Sequence, residues 1–148
     1  PGATGRMCAA QAALLAGGRG NVRDARAAVD AFFAHWGRLE ERRAKPGTHI
    51  MLFGVAPYYF MFAHLAAAEC IERLPERERP EYRARFDETL LRTRAEDGTW
   101  NDRVFPRSAA YGTAMAMLSL SARAGHAPRT QMPGEPPAPA LVEPVRGK

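Results

Sequence analysis

The sequence has little cysteine, almost no lysine, and no long apolar run free of helix breakers. The two cysteines, Cys8 and Cys70, sit inside apolar segments without a His or a second Cys at ligand spacing, which argues against a zinc site. They read as buried free thiols, with a single disulfide as the alternative. Nearly all the basic residues are arginine, and they are scattered singly rather than gathered into a stripe interleaved with aromatics. A net charge of +5 therefore reads as a solvated Arg/Glu surface, and nucleic acid is not an expected partner. The one possible membrane segment, Ile50 to Ala68, carries no formal charge over the 19 residues a spanning helix needs. It also contains Gly54, Pro57, a Tyr pair and His64. Pro57 fits better as the first residue of a shorter helix, so a membrane span is not expected. Pro1 leads straight into PGATGR with no initiator Met and no signal peptide, which reads as a processed chain or a fragment. Composition leaves the compartment open.

What is present is enough apolar material for one core: 148 residues, 46% of them hydrophobic. Six of the 12 prolines fall between residues 125 and 148, which excludes regular structure there. The expected organisation is a helical domain over 1–124 and an extended Pro-rich tail over 125–148.

Five helices are expected. The first runs from about Thr4, as N-cap, to Ala16, with Gly17-Gly18 ending it. Only Arg6 and Gln11 interrupt its apolar and small residues, so nearly every face should be buried. The second starts at Asn21, which forms a capping box with Asp24, and continues to about Leu39. Val22, Ala25, Val29, Phe32, Phe33 and Trp36 give it one apolar face. After a basic connection over 42–48 comes a third helix, Pro57 to about Arg73, apolar around nearly its whole circumference. The fourth, Pro80 to about Arg94, buries Tyr82, Phe86 and Leu90 and pairs Glu81 with Arg85 and Glu88 with Arg92 on its outer side. The fifth, capped by Ser108, runs from Ala109 to about Arg123 and is again mostly apolar. Helices that touch neighbours on all sides thus alternate with helices that face water on one side. TGRMCAAQAALLAGG (4–18) and YGTAMAMLSLSARAG (111–125) also share a small-residue pattern without gaps, as repeated helix hairpins would.

Three places carry a family resemblance: Asp97-Gly98-Thr99-Trp100 with Tyr111-Gly112-Thr113-Ala114 downstream, Ala56-Pro57-Tyr58-Tyr59 before the third helix, and Thr4-Gly5-Arg6 in the first. Together they resemble the prenyltransferase and squalene-cyclase repeat family. The resemblance implies an all-α fold, here a partial α/α toroid of helical hairpins. It also implies a structural clasp at Arg94, Asp97, Gly98 and Trp100. Arg94 stands where that family's clasp has Gln; an Arg can donate to loop carbonyls and stack on an indole but cannot accept. The cyclases' Asp-rich acid motif is not reproduced by Asp97 and Asp102, and neither cysteine has the Asp that precedes a zinc-ligating Cys in the protein prenyltransferases.

A ligand site is expected at the starts of the three parallel inner helices. There Arg6, Tyr58, Tyr59 and Tyr111 would meet helix N-termini suited to an anion or polar head group. The function expected is that of a non-catalytic scaffold subunit, bound to other protein subunits through an apolar helical flank and the Pro-rich tail, with neither metal nor cofactor. The alternative is a fragment of a terpenoid-cyclase-like enzyme, or a lipid- or carbohydrate-binding toroid module. In it His64 and Asp102 would be the catalytic candidates beside an isoprenoid or other lipid.

Overall fold

The structure is a computed structural model and describes residues 2–43, 45, 59–102 and 106–125. Its elements are α1 (Thr4–Ala16), α2 (Val22–Arg43), α3 (Tyr59–Ile71), α4 (Arg79–Leu91), a 3-10 turn (Pro106–Ser108) and α5 (Ala109–Gly125). There is no strand among the described residues, so the chain is all-α with five α-helices, as the periodicity predicts. Of the expected Pro-rich tail over 125–148, Gly125 is the last residue of α5 and residues 126–148, with Pro57 and Tyr58, lie outside the described residues.

Local chemistry sets most boundaries. Gly18 ends α1 with φ +68°, and the Arg19 N–H returns to the Leu14 carbonyl, closing a Schellman-type turn. Asn21 opens α2: its Oδ1 accepts from the Asp24 N–H at 2.9 Å and its Nδ2 donates to Asp24 Oδ2 at 2.7 Å. At α1 the N-cap is Ala3, not Thr4, because Thr4 is already helical and buried.

The helices form two rows. In the inner row α3 lies between α1 and α5; in the outer row α2 packs on α1 and α3, and α4 packs on α3. Neighbouring side chains give the directions. Ala28 meets Cys8 and Ala25 meets Cys70, while Trp36 meets His64, so α2 runs opposite to α1 and α3. Gly5 of α1 lies against Ala63 of α3 near the start of both helices, which are parallel.

Two expectations change. α1 and α5 are not buried all round; Met7 (42% exposed), Leu14 (41%), Met117 (61%) and Leu118 (55%) face outward. Both helices are the edges of the inner row, and only α3 has a neighbour on each side. On α4, Arg85 and Arg92 are not directed at Glu81 and Glu88. They reach back over rings of α2, with Arg85 4.2 Å from the Phe33 centroid and Arg92 4.5 Å from that of Trp36. A guanidinium gains more over an indole face than in a solvated i, i+4 pair. Specific long-range pairs join α4 to the rest: Arg26 of α2 grips Glu78 with two bonds of 2.8 Å, and Arg83 pairs with Glu72 just beyond α3.

Two glycine substitutions test the close approach of α1 to α3. A Cβ on Gly5 would lie 2.9 Å from both Ala63 Cα and Cβ, whereas one on Gly37 meets nothing within 4 Å. Gly5→Ala should destabilise the chain by about 1–3 kcal/mol by forcing the backbones apart. Gly37→Ala, on the exposed face of α2, should stabilise by up to about 1 kcal/mol. Urea unfolding of both variants is the measurement, and a neutral Gly5→Ala would mean that the helices are not in contact there.

Candidate functional site

The turn joining α4 to α5 is built residue by residue. Asp97 Oδ1 accepts from the Thr99 N–H at 3.0 Å and the Thr99 hydroxyl at 2.7 Å, and these donors hold its carboxyl below the usual carboxylate range. The Gly98 N–H bonds to the Ala95 carbonyl and the Ala95 N–H to the Thr99 carbonyl, a reversal that needs the φ of +86° only Gly adopts easily. Arg94 Nε donates to the Gly98 carbonyl at 3.0 Å, and the guanidinium carbon lies 5.5 Å from the Trp100 ring centroid. The turn delivers Trp100 into the core, where its Nε1 donates to the Leu90 carbonyl at 3.1 Å. That carbonyl, in the last turn of α4, also accepts from the Thr93 N–H at 3.1 Å and the Thr93 hydroxyl at 2.7 Å, so the indole joins the residues that cap the outer helix. On the other side Thr113 of α5 accepts from the Trp100 N–H at 3.0 Å, and the Trp100 carbonyl sits where a Gly112 Cβ would be, only 2.4 Å away.

His64 is fully buried on α3 in an aromatic box of Phe32, Trp36, Phe60 and Phe86. Trp36 Nε1–H donates to its Nε2 at 2.9 Å, which leaves Nδ1 to carry the proton and donate to the Phe60 carbonyl at 2.8 Å. Both ring nitrogens are occupied. Burial pushes the imidazole down to about 4, with the nearby Arg43 charge acting in the same direction and the Phe60 carbonyl opposing it. His64 is thus a neutral structural hydrogen-bonding group across physiological pH.

Asp102 is also fully buried, just beyond Trp100. Burial, with the Asp102 charge as the lesser cause, raises the Tyr111 phenol above its ordinary value. His64 lies on α3 and Asp102 in the loop after Trp100.

At the α1 end of the molecule, Arg6 and Tyr59 share a shallow recess with Gly2, Gly5, Leu39, Phe62 and Ala63. It has room for about one water molecule. Tyr111 is not among the residues lining it, and Tyr58 lies outside the described residues. The expected rim therefore reduces, among the described residues, to Arg6 and Tyr59. No group of three or more His, Cys, Asp or Glu that could hold a metal ion occurs among them. Nor, among the described residues, is any helix long and apolar enough to cross a membrane.

The outward face of α5 is exposed and uncharged. Ala110, Tyr111, Ala114, Met117, Leu118 and Ser121 recur at three- and four-residue intervals, all exposed and none charged. A helix face of four turns meeting water normally carries charge. Protein-family models, curated proteins and solved structures offer no match to this chain.

Sequence reasoning missed three contributors. Thr113, within Tyr111-Gly112-Thr113-Ala114, bridges the Trp100 backbone to α5, and a hydroxyl one residue after a small residue on a helix start was the available signal. The Trp36–His64 bond had none, since the two residues lie 28 positions apart. Arg42, almost wholly buried at the end of α2 with Nη1 donating to the Lys45 carbonyl at 2.7 Å, was read as part of a basic connection beyond the helix.

Two outcomes follow for measurement. The folded-state His64 value lies below that of the unfolded chain, so stability is full above pH 6.5 and falls as pH drops toward 4. The loss should reach about 3 kcal/mol across that window and disappear from the difference curve of His64→Asn. A ring nitrogen titrating near 6.5 by NMR would refute the assignment. Gly112→Ala should destabilise by about 1–3 kcal/mol, because a backbone carbonyl has to move rather than a side chain; thermal unfolding reads this out.

Proposed function

We propose that the chain is a non-catalytic helical interaction module that binds other protein subunits through the uncharged outer face of α5, with the edge of α1 as a second contact. The observation that carries this reading is the exposure of Met117 and Leu118 in a face with no charge along four turns. A stripe of that kind, on a helix whose opposite face packs on α3, is the composition of an interface rather than of a solvated surface. The partner should present an apolar helical or extended face, since nothing on the stripe would pair with charge. The Pro-rich segment 125–148, which continues directly from α5, belongs to the same proposal as a PPII-type ligand for a partner groove.

The relationship to the prenyltransferase and squalene-cyclase repeat family belongs here too, as a proposal. Parallel inner helices backed by antiparallel outer ones, and an Asp-Gly-x-Trp turn tying an outer helix to the next inner one, support a partial toroid whose row would continue beyond α1 and α5. The catalytic alternative lacks comparable support: His64 has both nitrogens engaged, and the recess at Arg6 and Tyr59 holds about one water where an isoprenoid needs a deep apolar cavity.

Sedimentation of the purified full chain tests the reading. The wild-type chain should associate in the micromolar range, and Met117→Glu with Leu118→Glu should return it to monomer with thermal stability essentially unchanged. A wild-type chain that is stable and monomeric at high concentration, with a protease-sensitive 125–148 segment, would refute it.

A further inference from the structure

We propose that Cys8 and Cys70 form a redox-responsive staple, an intramolecular disulfide that locks α1 onto α3 when the chain meets a disulfide oxidant and opens again on reduction. This goes beyond the binding role of α5 and holds whether or not that face has a partner.

The geometry comes from three helices. Cys8 on α1 and Cys70 on α3 are both free, and neither has any exposed surface. Both sulfurs are directed at the same stretch of α2: Cys8 Sγ lies 3.4 Å from the Ala28 carbonyl, and Cys70 Sγ lies 3.7 Å from the Ala25 carbonyl. Carbonyls three residues apart on a helix are neighbours on one face, so the two sulfurs share one patch of α2. A disulfide needs Cα atoms within about 7 Å, which ordinary helix packing at 8–10 Å between axes does not always provide. Near the starts of α1 and α3 small residues do bring the two backbones closer than that, since Gly5, three residues before Cys8, lies against Ala63 with no space for a Cβ.

The exchange runs in two steps once the thiols are exposed. The thiolate of one cysteine, formed by loss of a proton to solvent, attacks one sulfur of a small-molecule disulfide such as oxidised glutathione. The oxidant's S–S bond breaks, a cysteine–glutathione bond forms, and one glutathione thiolate leaves. The other cysteine then loses its proton and attacks the protein sulfur of that mixed disulfide, expelling the second glutathione. Two protein thiols are oxidised by two electrons, and the oxidant is reduced to two thiols.

Burial makes the exchange conditional on opening. α1 is an edge helix whose outer side carries Met7 and Leu14 in water, so its detachment from α3 exposes the pair without dismantling the α3–α4–α5 contacts. Once formed, the bridge closes a loop with the whole of α2 inside it and holds α1 in place.

Refolding the full chain from denaturant in glutathione buffers of graded redox ratio tests this without burial blocking access. Products are trapped by alkylation and mapped by mass spectrometry. The expected product is a Cys8–Cys70 bridge, dominant at ratios that leave the remaining thiol of Cys8→Ala largely free. The bridged chain should melt on the order of 10 °C higher than the reduced chain, and dithiothreitol should reverse the shift. Two free thiols, or glutathione adducts alone, in the same oxidising buffers would overturn the proposal. So would a bridged chain that melts lower than the reduced one, because native geometry would then not accommodate the bond.

Discussion

A helix with neighbours on every side has no water to satisfy its polar groups, and α3 is such a helix. α1, α2, α4 and α5 all pack on it, and nine of its 13 residues are buried. The one strongly polar side chain at its centre is His64, and the molecule accommodates it by giving each nitrogen a partner: the Trp36 indole on one side, the Phe60 carbonyl one turn back on the other. Two residues from different helices are thereby fixed in orientation as well as in contact. A buried imidazole satisfied in this way aligns α2 against α3 more specifically than apolar packing alone, because a shift along the axis would leave a donor and an acceptor unpaired. Phe32, Phe60 and Phe86 then pack edge-on or tilted around the same ring, so α4 is placed by the same residue.

Attachment of α5 follows a different physical logic. Two connections join α4 and α5: Arg123 with Asp87 at 2.6 Å, and the Trp100 system, which ties Leu90 to Thr113. The turn at 95–100 converts a chain reversal into three connections, since Trp100 gives its side-chain N–H to α4 and its backbone N–H to α5 while its ring fills the space between. Arg94 closes the turn by donating to the Gly98 carbonyl and covering the indole. A glutamine could both donate and accept at that position, whereas Arg only donates; the guanidinium instead adds contact with the aromatic face.

Much of the architecture was legible because it rests on local signals. The Asn21–Asp24 box, the Gly17-Gly18 stop and the apolar face of α2 each depend on residues within four or five positions of one another. What was not legible depends on contacts across the chain. The arginines of α4 looked like members of i, i+4 pairs, yet aromatic faces on α2, distant in sequence, attract them more strongly. Burial of α1 and α5 was overestimated for a related reason: an apolar circumference says what a helix can bury, and only the number of neighbours decides what it does bury. Among the site residues, Arg94 to Trp100 were legible as one unit because they are contiguous. The rim was inferred from three separate helix starts, and among the described residues the recess brings Arg6 and Tyr59 together while Tyr111 does not line it. His64 could be weighed as a core histidine but its partner could not be named.

The edges of the inner row are therefore a consequence of position rather than of composition. α1 and α5 share an ungapped small-residue pattern, and the two glycines it aligns, Gly5 and Gly112, are both points of close backbone contact. Both helices carry the side chains of an interior element, and α3 shows what such an element looks like with its neighbours in place. The inward sides of α1 and α5 obey that pattern, with Cys8 and Ala12 buried on one and Ala116 and Ala122 on the other. Their outward sides have the same chemistry and no neighbour among the described residues. A surface under selection for water alone would gain charge at Met117 and Leu118, positions where no internal packing constrains the side chain. That these positions stay apolar, on a chain otherwise rich in exposed arginine and glutamate, is the strongest physical reason to treat the α5 face as a surface built to be covered.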